Sequence, residues 1–225
     1  MFLNADQIII RLKSQADPAA VEGMVRYGIN PENTLGISIP TLRAMAREIG
    51  KDHQLAEELW ASGIHEARIL ASIIDDPHQV TEEQMERWVA DFDSWDVCDQ
   101  VCSNLFDRTT FAYQKAIEWS SGEAEFIKRA GFAMMAALAV HDKRAGDERF
   151  EPFFPIIVRQ ATDERNYVKK AVNWALRNIG KRNRHLNTRA IEIARKIEQI
   201  DSKVARWIAN DALKELTDDR IQSRF

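Results

Sequence analysis

One pattern constrains this chain more than any other: a stretch of amphipathic helix recurs about 40 residues later. Phe126-Ile127-Lys128-Arg129-Ala130 is echoed by Tyr167-Val168-Lys169-Lys170-Ala171, 41 residues on. Val172-Asn173-Trp174-Ala175-Leu176 is echoed by Ala209-Asn210-Asp211-Ala212-Leu213, 37 residues on. The first pair shares an aromatic, aliphatic, basic, basic, alanine order. A helix that shows one apolar stripe has to bury it on a neighbour. A chain that repeats such helices at a fixed interval therefore builds its core by stacking copies.

Elsewhere the apolar residues keep helical spacing nearly throughout, and strand signals are scarce. Asn4 predicts a helix to about Gln15, and Pro18 opens a second that ends near Tyr27-Gly28. Residues 29–39 read as the one long irregular stretch, broken by Pro31, Gly36 and Pro40. Pro40 starts a helix stopped by Gly50. Helices follow over 52–61 and 64–74, and Thr81 with Gln84 reads as a capping box for a helix through Val89. After a helix opening at Asp93 or Ser94, the pattern predicts helices over 110–119, 123–139, 148–161, 163–179, 187–197 and 203–216. The expectation is an all-α chain of about a dozen helices forming a single domain over residues 1–225. Two helices per unit at a period near 40 is the mark of HEAT-like repeats. These stack into a solenoid, an α-α superhelix, whose concave surface is lined by one helix of each pair.

Charge divides the chain. The net charge is -4, which taken alone argues against a nucleic-acid partner. Residues 1–107 hold 8 Lys+Arg against 19 Asp+Glu, however, while residues 108–225 hold 23 against 16. No acid stands between Arg165 and Glu192, a window containing Lys169, Lys170, Arg177, Lys181, Arg182, Arg184 and Arg189. A basic half on an acidic protein fits a polyanion that meets one side only, and it also fits a solvated helical face. Met1-Phe2-Leu3-Asn4-Ala5-Asp6 shows no basic region and no long apolar run. No stretch approaches the ~18 unbroken apolar residues of a membrane span. The expected setting is cytoplasmic, with no membrane partner.

Asp93-Ser94-Trp95-Asp96-Val97-Cys98-Asp99-Gln100 is the stretch most suggestive of chemistry. Trp95 and Asp99 are four apart, so a helix places them on one face. An indole beside a carboxylate suits a ligand that carries or develops positive charge; a core tryptophan and a first-turn acid favoured by the helix dipole fit the same spacing. Cys98 and Cys102 lack the second ligand pair that a metal needs, and His53, His65, His78, His141 and His185 form no triad. Neither metal nor cofactor is expected. Trp60, Trp88, Trp119 and Trp207 read as packing residues.

Three pieces together resemble the bacterial DNA alkylation repair glycosylases of the AlkD family. They are Trp95-Asp96-x-x-Asp99, the Lys128-Arg129 pair, and Lys169-Lys170-Ala171-x-x-Trp174-x-Leu176-Arg177. Gly36-Ile37-Ser38-Ile39-Pro40-Thr41-Leu42-Arg43 looks like that family's early signature, and the resemblance covers nearly the whole chain. It implies a HEAT-like solenoid whose concave groove cradles double-stranded DNA carrying alkylated bases. It also implies hydrolysis of the N-glycosidic bond of purines alkylated at N3 or N7, without flipping the base into a pocket. By this resemblance Asp99 is the essential carboxylate, Trp95 and Trp174 are the groove tryptophans, and Arg129 is the arginine of the next lining helix. Lys128, Lys169, Lys170, Arg177, Lys181 and Arg182 would bind phosphates without reading sequence. The protein is expected to act as a monomer, nucleoid-associated when on DNA. A HEAT module that binds DNA structure or a protein partner without chemistry is the other expectation, and a carboxylate aimed at DNA is of no use to it.

Overall fold

Side chains set most of the helix starts. In the computed structural model, which describes residues 4–225, Asn4 and Gln7 form a reciprocal capping box at the head of α1 (Ala5–Ser14). Met1–Leu3, part of the stretch read for a leader, lie outside the described residues. Asp17 caps α2 (Pro18–Arg26), Ser38 caps α3 (Ile39–Ile49), and Asp52 caps α4 (His53–Ala61). Each cap satisfies a first-turn N–H that the helix cannot. Then come α5 (His65–Ile74), α6 (Glu82–Ala90), α7 (Trp95–Asn104) and a 3-10 turn at Phe106–Arg108. At α6 only half of the expected box forms. Thr81 accepts from the Gln84 N–H, but the Gln84 amide reaches instead to buried Asp75. At α7 the cap position falls to Ser94, whose hydroxyl makes no cap bond and donates to Asp96.

From Thr110 to Phe225 the helices are longer. They are α8 (Ala112–Trp119), α9 (Glu125–His141), α10 (Phe153–Gln160), α11 (Asn166–Gly180), α12 (Arg184–Glu198), α13 (Lys203–Leu216) and α14 (Asp219–Gln222), with a 3-10 turn at Asp147–Arg149. The predicted helix over 148–161 is thus split in two. The one over 187–197 begins earlier, at Arg184, because Asn183 rather than Asn187 is its cap. Asn187 is buried and donates to the carbonyls of Gly180 and Leu216. No strand occurs among the described residues, and none of their helices is long and apolar enough to cross a membrane.

Two compact units divide the chain at Thr109/Thr110. In the first, α5 packs on α3, α4 and α7. Its core centres on Trp60 stacked on Trp88 at 4.0 Å, with Phe92 and Phe106 against them. Burying each such ring contributes roughly 1.5–3 kcal/mol, and a favourable ring pair about 0.5–1.5 kcal/mol more. In the second unit α9, α11 and α13 form one row, and α8, α10 and α12 are the partners behind them. Residues 130–139 of α9 are all buried, so that stretch is apolar on every side. Gly131 lets α8 approach it: a Cβ there would lie 2.3 Å from the Ser120 nitrogen.

Hydrogen bonds between successive repeats show the period. In the second unit Arg129 reaches the Tyr167 carbonyl, Asn173 reaches Asp211 and Arg177 reaches Glu215, each 38 residues away. In the first unit Trp60 reaches Asp91 and His65 reaches Asp96, each 31 residues away. The repeat is shorter there because its helices are shorter.

Candidate functional site

Helix α7 buries Val97, Cys98, Val101 and Cys102, and turns Trp95, Asp96, Asp99 and Gln100 to its partly exposed side. Complete burial pushes the Cys102 thiol up, which suits a packing residue better than a nucleophile. Trp95 stands at the first turn, and its indole N–H donates to the Tyr27 carbonyl at 3.1 Å, which fixes the ring. Asp99 lies one turn below. Because α7 is helical across both residues, they stand on one side of it.

Asp96 is held differently. Its carboxylate meets His65 Nε2 at 2.8 Å and accepts from Ser94 at 2.6 Å. Burial works to raise its pKa, but the hydrogen bond and charge of His65 outweigh that, and Asp96 sits below the ordinary carboxylate value. Burial likewise works to lower His65, yet Asp96, with Glu66 and Asp93 near it, holds the imidazole above its ordinary value. Both shifts describe one ion pair that joins α5 to α7.

Glu66, next to His65 and fully buried, shows what the Gly36–Arg43 stretch is for. Its carboxylate accepts the N–H groups of Leu35, Gly36 and Ile37 at 2.7–3.2 Å. Gly36 has φ +82, and a Cβ there would meet the Asp17 carbonyl oxygen at 2.3 Å, so a side chain is excluded twice over. Asn30 of the same irregular stretch donates to Asp93, just before α7. The irregular stretch, α5 and the head of α7 are thereby tied together under Trp95. Sequence reading missed His65 and Glu66. No local signal marks them: the 31-residue spacing of His65 to Asp96, which repeats that of Trp60 to Asp91, emerges only from the contacts.

In the second unit Arg129 is buried, 5% exposed, and its guanidinium donates to the Tyr167 carbonyl at 2.6 Å. Trp174 is half-buried on α11. Phe126 and Tyr167, the leading residues of the first echo, stack with centroids 5.6 Å apart. The basic residues fall into two groups. Lys128 meets Gln160 and Asp163, Arg177 meets Glu215 and Asp211, and Lys181 meets Glu215. Burial would raise the Glu215 pKa, but Lys181 and Arg177 hold it down. Arg182 donates to the Ala139 and Ala145 carbonyls and lies over Phe150 at 4.2 Å. These four cations bind the protein to itself. Lys169 and Lys170 form the second group. Lys170 is exposed, and Lys169 lies over the Trp207 ring at 5.7 Å.

Trp207 corrects the reading of it as a packing residue, because it is 42% exposed. Trp60, Trp88 and Trp119 are buried as expected. Among the described residues no group of three or more His, Cys, Asp or Glu is placed to hold a metal ion.

Comparison with known proteins agrees with this picture. A family model described as DNA alkylation repair enzyme matches residues 8–216. An uncharacterised protein of Listeria innocua, Lin0241, is 26% identical over 131 residues, covering 56% of this chain and 58% of that protein. The match therefore spans little more than half of that relative. A solved structure is described as a new family of proteins related to the HEAT-like repeat DNA glycosylases with affinity for branched DNA structures. It superposes with a TM-score of 0.78 at 19% identity, over 93% of this chain and 94% of that one. That likeness gives the fold as an all-α, HEAT-like helical repeat.

Proposed function

The chain belongs to the family of DNA alkylation repair enzymes, and from that premise we propose that it is a DNA glycosylase acting on cationic purines alkylated at N3 or N7 in double-stranded DNA. Alkylation at either nitrogen leaves positive charge on the base. When the C1′–N9 bond breaks, the base takes the electron pair and departs neutral, and the positive charge passes to the deoxyribose. Water then bonds to C1′ and gives up a proton. A fixed carboxylate near C1′ lowers the barrier to that transfer of charge, and Asp99 has this role in the proposal. The indoles of Trp95 and Trp174 favour a cation by roughly 0.5–2 kcal/mol each. Arg129, which the resemblance would set beside a phosphate, is buried and grips the Tyr167 carbonyl, so its part is to hold its row in register. Lys169 and Lys170 serve as phosphate ligands.

The observation that carries the reading is the placing of Asp99 one helical turn from Trp95, whose indole donates to the Tyr27 carbonyl, with both on the partly exposed side of α7. A second reading, a module that binds DNA without chemistry, draws on the branched-DNA affinity described for the structural relative. Incubation with methylated duplex DNA separates them. Release of free 7-methylguanine or 3-methyladenine is the expected result, and tight binding with no base released at any enzyme excess would favour the second reading.

A further inference from the structure

Trp207 lies on the outward face of α13 among cations. Lys203, Arg206, Asn210 and Lys214 are exposed on the same face, at the helical spacings that align them. Its register is informative. Val168, Ala171, Val172 and Ala175 of α11 are buried, and so are Ala205, Ile208, Ala209 and Ala212, their counterparts 37 residues on. The two helices thus turn corresponding faces to the core. Trp207 occupies the position that Lys170 holds on α11, and the 41-residue echo aligns Lys170 in turn with Arg129, which is buried. Where α11 carries an exposed cation, α13 carries an exposed indole.

The nearby acids leave that face positive. Asp201 pairs with Arg206 at 3.2 Å as an exposed ion pair of little net worth, and Asp211 and Glu215 are engaged by Asn173, Arg177 and Lys181. Lys169 adds its ammonium over the ring. A planar apolar surface ringed by cations matches a polymer with phosphates outside and aromatic faces within. In duplex DNA those faces are covered by neighbouring base pairs. Away from its ends a duplex offers none, and an unpaired nucleotide offers one on a strand free to follow the protein.

We propose that the outward face of α13 binds DNA at an unpaired nucleotide, with the base stacked on Trp207 and the flanking phosphates on Lys203, Arg206 and Lys170. This rests on the preceding reading only in taking DNA as the partner. The site would direct the protein to tails, gaps and forks, where a strand leaves the duplex.

The test is fluorescence anisotropy with labelled duplexes that are blunt or carry a short single-stranded tail. Trp207→Ala should weaken binding to the tailed duplex by roughly 10–100-fold and to the blunt duplex by much less, while Trp207→Phe keeps most of the preference. Equal affinity of wild type and Trp207→Ala for the tailed duplex, or the same loss on both duplexes, would overturn the proposal. A ligand-side measurement does not depend on the variant's folding. A tail of abasic sugars keeps the phosphates but has no base to stack, so wild-type protein should bind it more weakly than the base-bearing tail, by about the factor that Trp207→Ala loses. Binding as tight as to the base-bearing tail would refute the stacked base. Base release by the unsubstituted protein is scored separately. Tail preference without base release would leave this site standing and remove the glycosylase, and base release without tail preference would do the reverse.

Discussion

Asp96 and Asp99 are three residues apart on α7, and replacing them should have opposite effects. Replacing Asp99 by Asn keeps volume and shape and removes only the charge. For a carboxylate that stabilises a developing cation, the expected cost is about 10²–10³-fold in rate. The melting temperature should hold, and affinity for undamaged DNA should stay level or rise, because a charge that repels phosphate is gone. Asp96→Asn should behave the other way, lowering the melting temperature because the His65 charge is left without its buried partner. Single-turnover release of 7-methylguanine, with a melting curve on the same preparation, distinguishes the pair. An Asp99→Asn protein that cleaves at the wild-type rate would sink the proposed mechanism. Trp95 and Asp99 were legible in the sequence because a four-residue spacing on a helix is local geometry. His65 was not, because its partner lies 31 residues away on another helix.

At the scale of elements, the joint between α5 and α7 has a pH dependence whose sign follows from its two shifts. The His65 pKa is raised, so its contribution to stability is fully present below the unfolded value of about 6.5 and fades as pH climbs through the folded value. The Asp96 pKa is lowered, so its contribution is present above about 3.9 and fades as pH falls through its folded value. The joint is therefore strongest between about pH 4 and 6.5. Melting temperatures of wild type and His65→Gln should differ most in that interval, and the gap should narrow on the alkaline side. A gap that widens above pH 7 would contradict the ion pair. The start at Asn4 was legible from its cap and those at Pro18 and Pro40 from the prolines, because these signals are local, while the caps Asp17 and Ser38 beside them went unread. The shorter period of the first unit was not, since it is carried by contacts such as Trp60 to Asp91 and by no shared sequence block.

Across the whole molecule the change of charge falls almost at the boundary between the units. With Arg108 counted in the first unit, the chain carries -10 up to Thr109 and +6 from Thr110 onward. The acid-free window from Arg165 to Glu192 reads as a run of cations open to a polyanion, and the structure shortens that run. Acids one repeat away, invisible in a local window, meet several of the cations: Glu215 takes Arg177 and Lys181, and Glu151 takes Arg189. Among the described residues no ion pair joins Lys169 or Lys170 to an acid, and binding to duplex DNA should lean on them. Each phosphate contact contributes about 0.9 to the slope of log K against log salt. Replacing both lysines by Ala should therefore flatten the slope by between about one and two, with a similar loss of affinity on every sequence. Replacing Arg177 by Ala should change the slope much less, because its charge already faces Glu215. Anisotropy titrations on undamaged duplex between about 50 and 200 mM salt measure both variants. A double lysine variant with wild-type affinity and slope would place these residues away from DNA, and a larger slope change for Arg177→Ala than for the lysines would show that DNA displaces Glu215 to reach it.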